Sequence, residues 1–277
     1  MLEGVARLGR VAELGAVEQG DELDASAGED RADAARRELA EELGVDVDIV
    51  NELQRIAVEE SRLGIPLLVG RDVIHGFKTV MPIPLGQAAT WNPDTVREAA
   101  HVAASEAATT GVNWTFAPMI DISRDPRWGR GQETYGEDPH LTSRMGVAFV
   151  KGLQGDDPHY LKLVATPKHF AVHSGPEPER HHFNAVADER DLRETYLPHF
   201  RTAIQEGGAQ SLMSAYNRYH WESATGSYRL LTSILRNEWG FDGYVVSDCG
   251  AVTDIWRNHE IAANEREGAS LAVKSGC

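Results

Sequence analysis

Polar side chains that could do chemistry follow five short apolar runs of this chain. The run at 243–247 ends at the carboxylate Asp248, and Gly250 then breaks the pattern. A charged residue at the end of a buried strand is hard to explain as packing, because burying an unpaired charge is costly. The polar residues after the other four runs are Arg71 and Asp72, Asp121 and Arg124, Lys168 and His169, and Tyr216 and Asn217.

Side chains of these types can bind a ring that carries many hydroxyl groups. The Asp72 carboxylate accepts hydrogen bonds, and the basic side chains donate them. Cations near Asp248 would keep it ionised, so that it can attack a carbon or stabilise an oxocarbenium ion. A second carboxyl group must then act as acid and base, at about 5 to 5.5 Å in a retaining mechanism. Sequence spacing does not identify that group.

Helical patterns separate the apolar runs, and this alternation predicts an α/β fold with a parallel sheet. The apolar runs span 66–70, 114–119, 163–166, 211–214 and 243–247, and the helical patterns span 94–110, 139–155, 189–207 and 229–240. An open doubly wound sheet binds ligands at a switch point, whereas a (β/α)8 barrel brings all strand ends to one face. Functional residues after every run favour a (β/α)8 TIM-barrel-like domain. No G-x-G-x-x-G motif follows the first run, which argues against a dinucleotide site.

The composition limits the class of partner. The chain has 277 residues, close to the roughly 250 typical of one barrel. Its 27 basic and 43 acidic side chains give a net charge of −16, which argues against nucleic acid or an anionic membrane as partner. No apolar stretch approaches the roughly 20 residues of a membrane span, and no signal peptide is visible. These observations leave the compartment open.

Cys249 and Cys277 are the two cysteines, and they form neither a disulfide framework nor a zinc-ligand spacing. We therefore expect no metal and no cofactor. Cys249 follows Asp248 directly, so it either lines the same cavity or is a small packing residue.

The two ends of the chain predict an incomplete barrel. Residues 1–50 are acidic and rich in alanine, with helical patterns at 30–43 and 48–63, and we expect a helical segment that leads into a barrel domain at 51–277. At the other end, a helical pattern at 262–274 is followed by only three residues, where a barrel requires another strand. We therefore expect a barrel domain truncated at its C-terminus.

Three motifs, in order along the chain, together resemble the signatures of glycoside hydrolase family 3. They are the segment 124–130 followed by Glu133 and Gly136-Glu137-Asp138-Pro139, the segment Lys168-His169-Phe170, and the segment Val246-Ser247-Asp248. The resemblance extends from about Asn51 onward. This family contains β-glucosidases, β-xylosidases and N-acetylglucosaminidases.

The resemblance implies a role for each candidate residue. Asp248 matches the covalent nucleophile, and Tyr216 matches a residue beside it. Met213 matches a pocket wall. Many members have tryptophan at the position of Cys249. In lacking this tryptophan, the chain resembles β-xylosidase-like members. The residues that match sugar-hydroxyl ligands are Asp72, Arg130, Lys168 and His169.

The activity implied is that of a retaining exo-β-glycosidase acting on terminal β-D-glucosyl or β-D-xylosyl units of oligosaccharides or aryl glycosides. The segment 65–93 resembles bacterial periplasmic β-glucosidases, whereas 168–179 and 247–250 resemble xylosidases, so β-xylosidase activity is the alternative. The two sugars differ by one hydroxymethyl group, and such a difference typically changes selectivity by only about 1 to 3 kcal/mol.

The acid/base group is the part of the mechanism that this sequence leaves open. In β-glucosidase-like members it is a Glu from a C-terminal α/β domain, which we expect as a missing partner of this chain. In the N-acetylglucosaminidase branch it is a His two residues after an Asp, and the matching positions here are Glu179 and His181. The segment 174–178 is unlike that branch.

Three further possibilities remain open. The chain could be a sugar-binding fragment without catalysis, and its uncovered apolar faces could lead to a homo-oligomer. Lys168 could form a Schiff base, as in aldolases.

Other polar residues are expected to have structural roles: Arg124 and Arg127 in ion pairs with Asp121, Asp125 or Glu133, and His173, His181 and His182 at the rim or facing solvent.

Overall fold

The computed structural model describes residues 47–173 and 175–277. The predicted helix at 30–43 and most of the predicted N-terminal segment lie outside this part. The described α-helices are α1 (Val47–Arg55), α2 (Pro84–Ala88), α3 (Pro93–Ala108), α4 (Pro139–Gln154), α5 (Glu189–Asp191), α6 (Pro198–Gln205), α7 (Ala251–Arg257) and α8 (Glu265–Ser275). Wider π-helical turns form Ile56–Glu60, Leu192–Tyr196 and Arg229–Glu238.

The strands are short and mostly parallel. They are β1 (Gly70–Arg71), β2 (Trp114–Thr115), β3 (Val164–Ala165), β4 (Asn184–Ala185), β5 (Ser211–Ser214), β6 (Arg218–Tyr219), β7 (Glu222–Ser223) and β8 (Tyr244–Ser247). Parallel pairing joins β1 to β2, β2 to β3, and β5 to β8. A parallel bridge from Met119 to Lys168 extends the pairing between the β2 and β3 segments, and one from Phe170 to Ser214 continues the array from β3 to β5. The resulting order is β1, β2, β3, β5 and β8, which is an α/β fold.

This parallel array is strongly curved. The rings of Trp114 on β2 and Tyr244 on β8 lie 5.6 Å apart, although β3 and β5 stand between these strands. Neighbouring strands are about 4.8 Å apart, so a flat sheet would separate β2 from β8 by roughly 14 Å. The side chains on the concave side of the array therefore meet.

Local sequence signals fix the two long helices that cover the array. The Asn92 side chain accepts a hydrogen bond from the Asp94 N–H at the start of α3, and Asp138 does the same for Leu141 at the start of α4. Proline follows each of these capping residues, at a position where its missing N–H does no harm. Gly152 lets α4 approach α3 closely, because an added Cβ would overlap the Arg97 carbonyl oxygen.

The structure differs from the sequence-based expectation in three helical patterns. The predicted helix at 229–240 forms the π-helical turns of Arg229–Glu238. The predicted helix at 189–207 is divided into α5, π-helical turns and α6, because the proline at 198 cannot continue the hydrogen bonding of a preceding helix. The predicted helix at 48–63 ends its α-helical part at Arg55.

The first apolar run was predicted as a buried strand, and this is wrong for its leucines. Leu67 is 44% exposed and Leu68 is 39% exposed. Their exposure follows from the position of β1, which pairs only with β2 in the described part of the chain. The small sheet of β4, β6 and β7, in which β6 and β7 form a hairpin, was not predicted. None of the described helices has the length and apolar character needed to cross a membrane.

Candidate active site

The carboxylate of Asp248 lies where β8 ends, with one oxygen held and the other open. Its backbone N–H donates to the carbonyl of Ser214, the last residue of β5, at 3.2 Å. Oδ1 accepts the backbone N–H of Cys249 at 2.8 Å. Oδ2 is buried, lies 3.3 Å from Nε2 of His169, and meets no hydrogen-bond donor among the residues that the structure describes.

The proton of His169 can be placed from its neighbours. Arg130 can only donate, and its Nη1 lies 3.4 Å from Nε2 of His169, so Nε2 is the acceptor. The proton is therefore on Nδ1, which donates to Oδ2 of Asp121 at 2.9 Å. His169 is thus a neutral ring that presents a lone pair, not an N–H, to Asp248. This arrangement explains why Oδ2 of Asp248 has no partner there.

Burial accounts for the charge states of this pair. Burial lowers the pKa of His169 well below its usual 6.5, and the negative charge of Asp248 opposes that shift only in part. Burial also raises the pKa of Asp121 to about 6, while the positive charge of Arg130 and the His169 backbone N–H oppose the rise. At neutral pH, therefore, Asp121 is mostly ionised and His169 is neutral.

The guanidinium of Arg130 is fixed by Glu133. Nε and Nη2 of Arg130 donate to the two carboxylate oxygens at 2.8 and 2.7 Å, which orients the planar group. This hydrogen bonding lowers the pKa of Glu133. The fork directs Nη1 toward His169 and places a positive charge near Asp248.

Lys168 and Asp72 connect the ends of two non-adjacent strands. Nζ of Lys168 donates to Oδ1 of Asp72 at 2.8 Å, with the lysine side chain 6% exposed and the aspartate 60% exposed. An ammonium group paired in this way is not a nucleophilic amine, which argues against Schiff-base chemistry at Lys168. The exposed Asp72 oxygens are free to accept hydrogen bonds from a ligand.

Tyr216 lies beside the nucleophile candidate. Burial raises the pKa of its hydroxyl, and so do the negative charge of Asp248 and a hydrogen bond to that carboxylate. Cys249 is exposed, and its thiol is free. Met213 is buried on β5, where its backbone pairs with Pro167 and Phe170. The roles of these residues toward a ligand, including a pocket wall at Met213, stay predictions.

The structure corrects two expectations about the residues around the site. Arg124 pairs with Asp191 at 2.9 Å and not with any of the three predicted carboxylates. His173 was expected at the rim, but it is 4% exposed and its ring lies 5.0 Å from that of His169. Burial lowers its pKa to about 3. No periodicity separates His173 from the exposed His182 in the same stretch, so the sequence held no signal for this difference.

The ion pair expected for Arg127 is present. Arg127 binds Asp125 at 2.6 Å, whereas Glu133, one of the carboxylates expected to pair with Arg124 or Arg127, binds Arg130 instead. Of the two remaining loop histidines, His182 is exposed and His181 is partly exposed. Asp121, expected to be structural, proves to orient His169.

The described residues, 47–173 and 175–277, also bear on metal binding and on cavities away from Asp248. No group of three or more His, Cys, Asp or Glu side chains in these ranges is arranged to hold a metal ion. A cavity of about 460 Å³ lies between the segment 124–127 and β4, and none of the candidate site residues lines it.

Known proteins resemble this chain over most of its length. The model of the glycosyl hydrolase family 3 N-terminal domain matches residues 38–277. A xylan 1,4-β-xylosidase of Xylanibacter ruminicola is 46% identical over 220 residues, which cover 73% of this chain and 25% of that protein. A periplasmic β-glucosidase of Salmonella typhimurium is 40% identical over 228 residues, which cover 82% of this chain and 30% of that protein.

A solved structure shows the same similarity. A β-glucosidase from Listeria innocua in complex with glucose has a TM-score of 0.75 and 40% identity, over 80% of this chain and 31% of that one. The chain thus spans about a quarter to a third of the length of these relatives.

Proposed function

Because this chain belongs to glycosyl hydrolase family 3, we propose that it carries the nucleophile and the sugar-binding residues of a retaining exo-β-glycosidase. The substrate class is a β-linked oligosaccharide or aryl glycoside with a terminal β-D-glucosyl or β-D-xylosyl unit. Relatives named β-glucosidase and β-xylosidase support both sugars. The non-aromatic Cys249 supports the xylosyl alternative, because it leaves no large stacking wall after Asp248.

The fold proposed for residues 51–277 is a (β/α)8 TIM-barrel-like domain. The parallel order of five strands and the curvature that brings Trp114 to Tyr244 support it. Barrel enzymes place their site at the carboxyl ends of the strands. Four of the candidate residues, namely Asp72, Lys168, Tyr216 and Asp248, follow β1, β3, β5 and β8 in that order.

The state of the Asp248 carboxylate is the observation that carries this function. Oδ1 is held by a backbone N–H, whereas Oδ2 is unpartnered within the described residues and faces a neutral histidine lone pair. An oxygen without a donor keeps its lone pairs available for attack on carbon, and the guanidinium of Arg130 supplies a positive charge near this carboxylate. An ordinary structural aspartate would have both oxygens satisfied.

In the proposed reaction Oδ2 of Asp248 attacks the anomeric carbon. A C–O bond forms to the carboxylate while the bond to the leaving oxygen breaks, and a proton from a general acid neutralises that oxygen. Water then attacks the same carbon, releases the carboxylate and restores the original configuration. Asp72, Lys168 and Arg130 hold sugar hydroxyls during both steps.

Covalent trapping tests the nucleophile without depending on the general acid. A 2,4-dinitrophenyl 2-deoxy-2-fluoro-β-glucoside or β-xyloside has a leaving group that departs unprotonated, and its fluorine slows the release of the intermediate. Incubation with the 277-residue chain should add one fluorosugar to the peptide that contains Asp248. Asp248→Asn should abolish this mass shift, while the exposed Asp242→Asn serves as the matched control. Labelling at another residue, or unchanged labelling of Asp248→Asn, would overturn the proposal.

A sugar-binding role without turnover is the second candidate, since the exposed Asp72 and its partner Lys168 would bind sugar hydroxyls whether or not hydrolysis follows. Its signature is labelling at Asp248 by the activated fluorosugar together with no hydrolysis of xylobiose or cellobiose. Hydrolysis of either disaccharide would exclude it.

A further inference from the structure

Two side chains of the 176–182 loop contact the ring of Tyr216. The His181 ring lies 4.4 Å from it in an edge-to-face arrangement. The guanidinium carbon of Arg180 lies 5.4 Å from the centre of the same ring. Edge-to-face and cation–π contacts of this kind are directional, so they restrict the orientation of the tyrosine ring.

His181 is itself held in one tautomer. Nε of Arg180 donates to its Nε2 at 3.2 Å, so the ring proton is on Nδ1. Nδ1 then donates to Oδ2 of Asp254 at 2.8 Å. Both ring nitrogens therefore have partners, which fixes the ring plane that faces Tyr216.

Asp254 belongs to α7, the helix that begins three residues after Asp248. The Asp254 side chain is 5% exposed. Its other oxygen, Oδ1, accepts a hydrogen bond from Nδ2 of Asn258 at 2.5 Å. One short helix thus follows the nucleophile directly and also carries the carboxylate that orients His181.

Simple packing does not explain this arrangement. An apolar residue at 181 would cover the Tyr216 ring without any buried carboxylate. Burying Asp254 removes a charge from water, which is unfavourable unless hydrogen bonds compensate for it. Buried polar groups that are fully paired specify one geometry. The geometry specified here is that of a tyrosine whose hydroxyl lies beside Asp248.

We propose that Asp254 and His181 are positioning residues for the Tyr216 hydroxyl. Asp254 fixes the tautomer and plane of His181, and His181 fixes the plane of the Tyr216 ring. The hydroxyl is thereby kept beside the carboxylate that forms and later releases the glycosyl bond. This inference rests on the proposed function for its kinetic consequence, but the coupling from Asp254 to Tyr216 is a property of the folded chain.

A double-mutant cycle tests the kinetic consequence in the 277-residue chain. The measured quantity is the rate of Asp248 labelling by the activated fluorosugar. Asp254→Asn should slow labelling about tenfold in the native background and less than about twofold in a Tyr216→Phe background, since coupled residues are not additive. Equal losses in both backgrounds would show a general structural effect and overturn the proposal. If Asp254→Asn loses the native circular dichroism spectrum, His181→Gln replaces it in the same cycle.

Nuclear magnetic resonance tests the coupling independently of activity. Long-range ¹H–¹⁵N spectra should show His181 protonated on Nδ1, and Asp254→Asn should change this pattern and shift the ¹³Cζ resonance of Tyr216. The exposed His182→Ala should change neither. An unmoved Tyr216 resonance in Asp254→Asn, or His181 protonated on Nε2, would overturn the positioning role. Normal coupling in a chain that is never labelled would instead contradict the glycosidase function alone.

Discussion

The carboxylate of Asp121 accepts hydrogen bonds from both the ring and the backbone of His169. The distances are 2.9 Å from Nδ1 and 3.1 Å from the backbone N–H, and both side chains are 1% exposed. This double contact fixes the tautomer and the direction of the ring. It therefore determines that a lone pair, not a proton, faces the oxygen of Asp248.

Replacing Asp121 should impair the site more than the fold. In Asp121→Asn the amide has one acceptor oxygen and an NH₂ group that opposes one of the two His169 donors, so the ring tilts. A displacement of about 1 Å in a reacting group can reduce a rate by on the order of 10²-fold. We expect such a loss in the rate of Asp248 labelling. The free energy of unfolding should change little, because the variant also removes a carboxylate whose burial raises its pKa to about 6.

Urea unfolding and labelling kinetics on the same samples measure both effects. Asp125→Asn is the control, since Asp125 pairs with the exposed Arg127 and contacts neither His169 nor Asp248 through a side-chain hydrogen bond. A parallel loss of stability and labelling rate in Asp121→Asn would contradict the prediction.

Acid should destabilise this protein through its buried histidines. Burial lowers the pKa of His199 from 6.5 to about 3, and it lowers the pKa of His173 to about 3 and that of His259 to about 4. As the pH falls below about 6.5, the unfolded chain binds protons at these histidines before the folded chain does. The free energy of unfolding is therefore unaffected by them above about pH 6.5 and decreases as the pH falls toward 3. Each histidine contributes a slope of about 1.4 kcal/mol per pH unit within that window. Asp121 acts in the opposite direction, because its pKa is raised, but it is one group against three.

The variant His199→Leu isolates one of these contributions. It should flatten the dependence of the urea midpoint on pH between pH 6.5 and 4, while the exposed His140→Gln leaves the dependence unchanged. The same steepness in His199→Leu and the native chain would refute this explanation.

Several features of the site could be predicted from the sequence because they depend on the ends of parallel strands. The run at 243–247 does form β8, and Asp248 follows it. Lys168 and Asp72 do meet, since parallel strands carry their carboxyl ends to one edge. The helical patterns at 94–110 and 139–155 likewise correspond to α3 and α4.

The orienting contacts could not be predicted in this way. Asp121 and His169 are 48 positions apart, and His181 and Asp254 are 73 apart. No periodic pattern relates such pairs, because they meet only through the tertiary packing of loops. The exposure of Leu67 could not be predicted either, since an apolar run looks the same in the sequence whether it forms a central strand or an edge strand.

Removing Lys168 and removing Asp72 should reduce the free energy of unfolding by different amounts. Asp72→Ala leaves a buried ammonium group without its partner, whereas Lys168→Met leaves a carboxylate that is 60% exposed and solvated by water. Leaving a buried group unpaired costs about 1 to 3 kcal/mol. Asp72→Ala should therefore reduce the free energy of unfolding by more than Lys168→Met does, and both should weaken binding of the fluorosugar.

Chemical denaturation of the two single variants and of the double variant decides this point. The double variant should be more stable than Asp72→Ala, because it no longer contains an unpaired buried cation. If Lys168→Met proves the less stable single variant, the assigned burial of the pair is wrong.

Alkylation should distinguish the two cysteines and report on the site. Cys249 is exposed, whereas burial raises the pKa of the half-buried Cys277 thiol. Since the thiolate is the reactive form, iodoacetamide should modify Cys249 first.

The group that iodoacetamide adds to Cys249 would lie next to Asp248 and should block labelling by the fluorosugar. Peptide mass spectrometry gives the order of modification, and Cys249→Ala provides the control: it should be labelled by the fluorosugar before and after iodoacetamide treatment. If the alkylated native chain is labelled at the full rate, Cys249 does not border the path to Asp248, and the argument for a xylosyl-type pocket from this residue fails with it.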